Sequence, residues 1–191
     1  MIKPHKLVET TRSSKKVFDG GLLQVYKDEV NLPDGETSYR EWIDHPGACA
    51  ILPVHQNGEV VLLSQYRYPI KQIFYEVPAG KIDPGEDPLH TVERELEEEA
   101  GVTAKHVEYT GHFYPAIGYA NEIIHLFIAW QLDIQPNNVD DDEFVEPFRI
   151  PFRQAISMVE NGEITDGKTM ACIWKAMVWW RKNEPFKLEL G

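Results

Sequence analysis

One stretch constrains the chain more than any other: 80–102 reads GKIDPGEDPLHTVERELEEEAGV. Asp87 followed by Pro88 predicts the start of a helix, because Asp is a favoured N-cap and Pro fits the first helical position. Gly101 predicts its end, since glycine readily adopts the left-handed conformation found after many helices. Between these limits apolar residues recur at helical spacing, at Leu89, Val92, Leu96 and Ala100. The sequence therefore predicts an amphipathic helix that begins and ends at defined residues.

The polar side of this helix carries carboxylates that should face one way. Glu95, Glu98 and Glu99 stand at i, i+3 and i+4, so their side chains are neighbours. Like charges at this spacing repel by about 0.2–0.5 kcal/mol per pair. A hard divalent cation such as Mg²⁺ would remove that repulsion, because it takes oxygen ligands and shares its shell with phosphates. The alternative is a solvated acidic face, which is how we interpret Glu93 and Glu97.

The spacing of the whole stretch matches a long motif, GX5EX7REUXEEXGU with U aliphatic. Its fixed positions are Gly80, Glu86, Arg94-Glu95-Leu96, Glu98-Glu99 and Gly101-Val102. This is the Nudix box, and the chain resembles a Nudix hydrolase. The resemblance implies an α/β/α sandwich with a mixed central sheet. It also implies hydrolysis, dependent on Mg²⁺ or Mn²⁺, of a nucleoside diphosphate linked to another group.

The resemblance extends through 17–182. The stretches GGLLQVYKDEVNLPDGETSYREW, LLSQYRYPI, FYPAIGYANEIIHLF and NGEITDGKT are similar to the ADP-ribose pyrophosphatase branch, which includes nucleotide-sugar hydrolases. ADP-ribose is therefore the leading substrate, with AMP and ribose 5-phosphate as products. Ile117 and Tyr119 stand where small or polar residues are common in that branch, which leaves the sugar preference open. The alternatives are GDP-mannose or another nucleotide as substrate, or a Nudix module that senses a nucleotide sugar without cleaving it.

Composition limits the class of protein further. The 191 residues carry 31 acidic and 19 basic side chains, a net charge of −12, which argues against nucleic acid as a partner. Cys49 and Cys172 are too few for a disulfide framework and are predicted to be buried. No apolar run reaches transmembrane length, and 1–16 lacks the apolar core of a signal peptide. We expect a soluble cytoplasmic enzyme with no membrane partner.

Hydrophobic patterning predicts the remaining elements. Before the box we expect mobile residues 1–16, a strand over 17–30 broken at Gly20-Gly21, and strands over 37–45, 48–55, 60–68 and 73–77. Asn57-Gly58 predicts a type I′ hairpin turn between two of these strands. After the box we expect strands over 107–114, 123–132 and 148–151 and helices over 152–160 and 168–182. Trp174, Trp179 and Trp180 are interpreted as core residues of the last helix.

The chain divides on this basis into two regions. Residues 1–45 form an N-terminal antiparallel strand region, and 46–191 form the Nudix catalytic domain. In the branch that the chain resembles, the strands before the Nudix core are commonly exchanged with a second subunit. The resemblance therefore implies a homodimer in which 1–45 takes part.

The resemblance assigns the metal ligands on the helix and beside it. Glu95, Glu98 and Glu99 would hold the ion, with the carbonyl of Ala79 completing its shell. Glu98 would also take part in catalysis. Arg94 would pair with Glu86 or with a box glutamate and orient it, as residues behind metal ligands commonly do. The alternative for Arg94 is a surface ion pair of little energetic value.

A general base must come from outside the box. In this branch it lies on an acidic loop after the core strands, which here is 140–143. Glu143 is our first choice as base or additional metal ligand, and Asp141 is the second. The alternative is an acidic turn that only improves solubility.

The resemblance also assigns residues that contact the substrate. Arg67 would bind a phosphate through its guanidinium fork, unless it forms a salt bridge on the strand surface. Trp42 would stack on the base, beside Arg40, although a core or dimer-interface position is the alternative. Glu122 and Gly118, from the loop after the box, complete the predicted substrate-binding set.

Overall fold

The computed structural model describes residues 6–135 and 144–188. The described residues fall into two compact units. One comprises those of Met1–His45 and Ala116–Glu122, and the other those of Pro46–Pro115 and Ile123–Gly191. The assignment of 1–45 to dimerisation and of 46–191 to catalysis stays a prediction.

The first unit is a three-stranded antiparallel sheet in the order β1-β2-β3. Its strands are β1 (Thr10–Asp19), β2 (Gln24–Asn31) and β3 (Thr37–Asp44). The sequence predicted a strand only from residue 17, whereas β1 begins at Thr10 and pairs along its length with β2. Every residue of β1 is exposed. Polar β1 therefore lacked the buried apolar side chains by which strands are recognised in a sequence.

The second unit contains a mixed sheet, as predicted. Its strands are β4 (Ala48–Val54), β5 (Glu59–Arg67), β6 (Gln72–Glu76), β7 (Ala79–Lys81), β8 (Val102–Phe113), β9 (Ile124–Ile134) and β10 (Val145–Pro151). The main path runs β10-β5-β4-β9-β8, while β6 pairs with β5 and β7 with β4. β4 and β9 are parallel, and the other described pairs are antiparallel. Short β7 begins the connection from β6 to α1, and we call residues 79–86 the Gly80 loop.

Helices cover both faces of this sheet, which gives the expected three layers. They are α1 (Pro88–Ala100), α2 (Phe152–Glu160) and α3 (Gly167–Asn183). Successive side chains of a strand point to opposite faces, so β4 serves two cores. Ile51 packs in a cluster with Leu96 of α1, and Leu52 packs in a separate cluster with Ile173 of α3. β4 is thus buried on both sides and lies at the centre of the unit.

Two local predictions have different outcomes. Only Gly58 of the Asn57-Gly58 pair has a positive φ, so the β4–β5 turn is not the predicted type I′, which needs positive φ at both residues. Cys49 and Cys172 are both fully buried, as predicted. Burial raises the pKa of each thiol to about 12, so both are protonated at neutral pH.

Trp174 is the clearest error among the core predictions. Its side chain is 61% exposed, whereas Trp180 is buried and Trp179 is partly buried against the core. The buried stripe of α3 consists of Thr169, Cys172, Ile173, Ala176, Met177 and Trp180. Trp174 lies off this stripe, and the sequence-based prediction gave its apolar character more weight than its position on the helix.

No helix within 6–135 or 144–188 is long and apolar enough to cross a membrane.

Candidate active site

Helix α1 begins and ends at the predicted residues. The Asp87 carboxylate accepts hydrogen bonds from the backbone N–H groups of Leu89 and His90, at 2.9 and 3.2 Å. Gly101 has φ of 61° and donates its N–H to the Glu97 carbonyl, which ends the helix. These two caps fix the register of α1, and with it the face on which the glutamates lie.

Glu95 and Glu99 are buried and Glu98 is half-buried, on the side of α1 that faces the Gly80 loop. A Cβ built on Gly80 would lie 1.7 Å from Glu95 Oε1, so only glycine allows this approach. The Ala79 N–H donates to Glu99 Oε2 at 2.8 Å. The loop before the helix therefore holds two of the three predicted metal ligands against its own backbone.

Arg94 binds the carboxylates around it. Its Nη1 donates to Glu95 Oε1 at 2.8 Å and to Glu98 Oε2 at 2.9 Å, and its Nη2 lies 3.4 Å from Glu86 Oε2. Burial acts to lower the pKa of Arg94, but the three carboxylates outweigh it and the pKa is raised. The hydrogen bonds that Glu86 accepts from Arg94 and from Thr91 lower its own pKa. The predicted pairing of Arg94 is present, with both Glu86 and box glutamates.

We call this group the α1 carboxylate cluster; its members are Glu86, Arg94, Glu95, Glu98 and Glu99. Four carboxylates and one guanidinium leave it with a surplus of negative charge. Within the part of the chain that the structure describes, no three His, Cys, Asp or Glu side chains converge closely enough to hold a metal ion. The carboxylates turn toward Arg94 and the loop instead. Their chemistry fits a hard divalent ion, since all are oxygen donors with excess charge.

A second charged group, which sequence reasoning missed, lies directly before the Gly80 loop. Glu76 at the end of β6 is almost completely buried. Arg67 forks onto it, with Nε 2.7 Å from Oε1 and Nη2 2.6 Å from Oε2, and Lys168 Nζ also donates to Oε2. Burial acts to raise the pKa of Glu76, but the two cations outweigh it and the pKa is lowered. Arg67 is therefore paired as in the salt-bridge alternative, and its phosphate role stays a prediction.

The start of α3 anchors this second group. Asp166 is the N-cap of α3, and its Oδ2 accepts the Thr169 N–H at 3.0 Å, the Thr169 hydroxyl at 2.6 Å and Lys168 Nζ at 2.9 Å. The buried Thr169 Oγ1 in turn accepts the Val77 N–H at 3.0 Å. Arg67, Glu76, Asp166 and Lys168 form what we call the Glu76 cluster. The stretch DGKT, after a turn and before a helix, was the available signal, because Asp is a favoured N-cap.

The other predicted substrate-binding residues belong to the first unit. Trp42 donates its Nε1–H to Asp28 Oδ2 at 3.0 Å and stacks on Tyr26, with ring centroids 5.0 Å apart. Arg40 is exposed and pairs with Glu9. The indole is thus held on one face and at its nitrogen, and its stacking role stays a prediction.

The loop after β8 also belongs to the first unit. Glu122 Oε1 lies 3.8 Å from His45 Nε2, and exposed Gly118 lies in the same loop. The Ile43 N–H donates to the Tyr119 carbonyl at 2.8 Å, which attaches this loop to β3. Gly118, Glu122, Arg40 and Trp42 therefore share a unit that does not contain the α1 carboxylate cluster. The predicted bases Glu143 and Asp141 lie outside the described residues.

Comparison with known proteins agrees with the box and the fold. Residues 43–171 match the model of the NUDIX domain, which includes the α1 carboxylate cluster and the Gly80 loop. This match spans more than half of the chain, and the chain belongs to the Nudix family. Nudix hydrolases as a class use a divalent metal ion.

Individual relatives cover most of the chain. It is 40% identical over 169 residues to the ADP-ribose pyrophosphatase of Bacillus subtilis, covering 87% of this chain and 91% of that protein. It is 37% identical over 167 residues to the methanol dehydrogenase activator of Bacillus methanolicus, covering 86% and 90%. A crystal structure of an ADP compounds hydrolase superposes with a TM-score of 0.82 over 93% of this chain and 97% of the other, at 18% identity, which supports the fold.

Proposed function

We propose that this protein hydrolyses the diphosphate bond of nucleoside diphosphate sugars, with ADP-ribose as its leading substrate. The observation that carries the proposal is the α1 carboxylate cluster: four glutamates with one arginine, set against the backbone of the Gly80 loop. The relative from Bacillus subtilis named ADP-ribose pyrophosphatase supports the choice of substrate. The products would be AMP and ribose 5-phosphate.

The metal ion is proposed to be Mg²⁺, with Mn²⁺ as a substitute. Glu95, Glu98 and Glu99 would hold it together with the Ala79 carbonyl, because these are oxygen donors beside a loop whose glycine allows their close approach. When bound, the ion supplies neutralisation of phosphate charge and a lowered pKa for a water molecule.

The side chains of the site have separate tasks in this proposal. Arg94 keeps Glu95 and Glu98 oriented before the ion is bound, through hydrogen bonds of 2.8 and 2.9 Å. The half-exposed guanidinium of Arg67 would bind a phosphate oxygen of the substrate. Glu143, or Asp141 in its place, would accept the proton of the attacking water.

The first unit is proposed to bind the nucleoside part of the substrate. Trp42 would stack on the base, since Tyr26 covers one face of the indole and Asp28 fixes its nitrogen. Arg40, Gly118 and Glu122 are proposed as further substrate-binding residues. Stacking tolerates any base, so GDP-mannose stays the alternative substrate.

The test is a hydrolysis assay with a defined substrate panel. Purified protein with Mg²⁺ would be given ADP-ribose, ADP-glucose, GDP-mannose, UDP-glucose, NADH and a diadenosine polyphosphate, and the products separated by chromatography. We expect AMP release from ADP-ribose to be fastest and to stop in EDTA. A faster release of GMP from GDP-mannose would replace the substrate but keep the reaction. Tight ADP-ribose binding without cleavage would favour a sensing module instead.

Two further properties are proposed with the reaction. The first is a homodimer, supported by the exposed apolar side chains of the first unit, among them Val17, Phe18 and Leu22. Light scattering coupled to gel filtration would test it, and a mass near 22 kDa rather than twice that value would contradict it.

The second is a cytoplasmic location, supported by two free cysteines in a buried, reduced form.

A further inference from the structure

The Glu76 cluster places two cations on one buried carboxylate. Arg67 and Lys168 both donate to Glu76 Oε2, and Arg67 also donates to Oε1. The fork uses Nε and Nη2 of Arg67, which leaves Nη1 on the side of the guanidinium that faces away from Glu76. The Arg67 side chain is 42% exposed, whereas Glu76 is 3% exposed. One end of the guanidinium is therefore anchored in the protein and the other remains accessible to a ligand.

We infer that Lys168 is a positioning residue that holds Glu76, and through it Arg67, in the orientation needed to bind a phosphate of the substrate. This inference rests on the proposed function, in which Arg67 contacts the diphosphate. Lys168 itself does not need to touch the substrate, because its partners Glu76 and Asp166 already occupy it.

Two carboxylates hold the ammonium group of Lys168 in place. Asp166 and Glu76 receive its ammonium group from two sides, and only 14% of its side chain is exposed. The next residue, Thr169, is fully buried and accepts the Val77 N–H at 3.0 Å. The first turn of α3 is thus bound to the end of β6 by charge, and to the next residue of the chain by a hydrogen bond from the Val77 N–H to the Thr169 hydroxyl. A cation in this position can restrict rotation of the Glu76 carboxylate.

Two consequences for Arg67 follow from the second cation. A carboxylate held by Arg67 alone could rotate about its last bond and take the guanidinium with it, whereas a fixed third donor at Oε2 prevents this rotation. Lys168 also balances part of the Glu76 charge, so Arg67 is less fully neutralised by its partner. Both effects favour binding of an anion at Nη1, since charge and direction are set before the ligand arrives.

Binding without turnover tests the inference directly. Isothermal titration calorimetry with ADP-ribose in EDTA would measure Kd for the wild type and for Lys168→Met, and steady-state kinetics in Mg²⁺ would give KM and kcat. We expect Kd and KM to rise about tenfold in the variant, because a charged hydrogen bond no longer orients Arg67. We expect kcat to change less than about twofold, since the α1 carboxylate cluster is untouched.

Three further variants separate positioning from a role in folding. Lys168→Arg keeps the charge and should restore most of the affinity. Lys175→Met removes an exposed lysine from the same helix and should leave Kd and KM unchanged. In an Arg67→Lys background, Lys168→Met should add little further loss, because both changes act on one contact.

Several outcomes would overturn the inference. One is a folded Lys168→Met protein with unchanged Kd, and another is loss of affinity that adds fully to that of Arg67→Lys. A fall in kcat and thermal stability with unchanged KM would assign Lys168 to folding alone. Wild-type protein that binds ADP-ribose but does not cleave it in Mg²⁺ would refute the proposed reaction, while the Kd comparison still decides the role of Lys168. Wild-type protein that does not bind ADP-ribose, either in EDTA or in Mg²⁺, would contradict both the inference and the choice of ADP-ribose as substrate.

Discussion

The two charged clusters on either side of the Gly80 loop differ in their balance of charge. The α1 carboxylate cluster has four carboxylates and one guanidinium, whereas the Glu76 cluster has two carboxylates and two cations. The first has a surplus that a divalent cation can neutralise, and the second is neutral without any ligand. The difference agrees with the proposed roles, in which the first cluster holds a divalent ion and the second orients Arg67 and joins β6 to α3.

The largest expected effect comes from weakening the unbalanced cluster. Glu98→Gln keeps the shape of the side chain but removes a charge that the proposed ion needs. We expect kcat on ADP-ribose to fall by about 1,000-fold, in the range seen when a main electrostatic contact of a transition state is removed. The measurement is steady-state hydrolysis in saturating Mg²⁺.

The matched control for this change is Glu97→Gln, one residue earlier on the same helix. Glu97 is exposed, so its replacement should leave kcat within about twofold, as expected for a surface position. Circular dichroism should be unchanged for both variants, because neither side chain is part of the core. Glu97 is exposed, and half-buried Glu98 contacts Arg94 on the same helix. A Glu98→Gln enzyme with near wild-type turnover would remove Glu98 from the site.

The balanced cluster should respond in stability first. Glu76→Gln leaves Arg67 and Lys168 beside a buried neutral amide, and breaking a buried ion pair from one side costs about 3 kcal/mol. Urea unfolding at pH 7 would measure the loss. The same substitution at Glu97 should cost less than about 0.5 kcal/mol, since that side chain is on the surface.

Acid should reproduce part of this loss in the wild type. Burial acts to raise the pKa of Glu76, but the opposite effect of Arg67 and Lys168 is larger. The pKa of Glu76 in the folded protein therefore lies below the unfolded value of about 4.3. The stabilisation is therefore complete above that unfolded pKa and disappears as pH falls through the lower folded pKa. Unfolding free energy measured from pH 5 downward should decline less steeply in Glu76→Gln. Parallel curves for the two proteins would contradict this explanation.

The loop between the clusters can be tested through its glycine. Gly80→Ala would place a methyl group 1.7 Å from the present position of Glu95 Oε1, so the carboxylate must move away from Arg94. We expect metal affinity and kcat to fall about 30-fold, within the range for displaced supports of a metal ligand. Calorimetric titration with Mn²⁺ would measure the affinity.

The control for the glycine change lies in the first unit. A Cβ on Gly21 would meet no atom within 4 Å, so Gly21→Ala should bind Mn²⁺ as the wild type does. Equal affinity of the Gly80→Ala protein would show that Glu95 is free to move without cost. In that case the close contact at Gly80 would have no part in metal binding.

The two clusters also differ in how far the sequence predicted them. The α1 carboxylate cluster lies within 86–99, where the caps at Asp87 and Gly101 fix the helix and the glutamate spacing follows. The Glu76 cluster joins residues that are 92 positions apart, such as Glu76 and Lys168. Each of them alone resembles an ordinary surface charge, and only the tertiary fold brings them together. Local periodicity contains no information about such a pairing.

Other differences have local physical causes. The part of β1 before residue 17 was missed because a strand stabilised by backbone pairing and exposed side chains has no apolar alternation. Trp174 was misplaced because residue type was given more weight than helical position. The cap residues of α1 were predicted correctly because they depend on short-range patterns, whereas the fold class and the mixed sheet were predicted correctly from the resemblance to the Nudix family. Long-range polar contacts were the part that the sequence left open.

The smallest effect compares the caps that lead into the two clusters. Asp87 caps α1 by hydrogen bonds from Leu89 and His90, and its side chain is mostly exposed. Asp87→Ala should therefore cost about 1 kcal/mol of unfolding free energy, the usual value of an N-cap. Asp166 caps α3 but also accepts hydrogen bonds from Lys168 and from the Thr169 hydroxyl. Asp166→Ala should therefore cost about 2 kcal/mol of unfolding free energy. Urea unfolding of the two variants measures the difference. Equal losses would mean that Asp166 acts only as a cap, and that the Glu76 cluster keeps its cations in place without it.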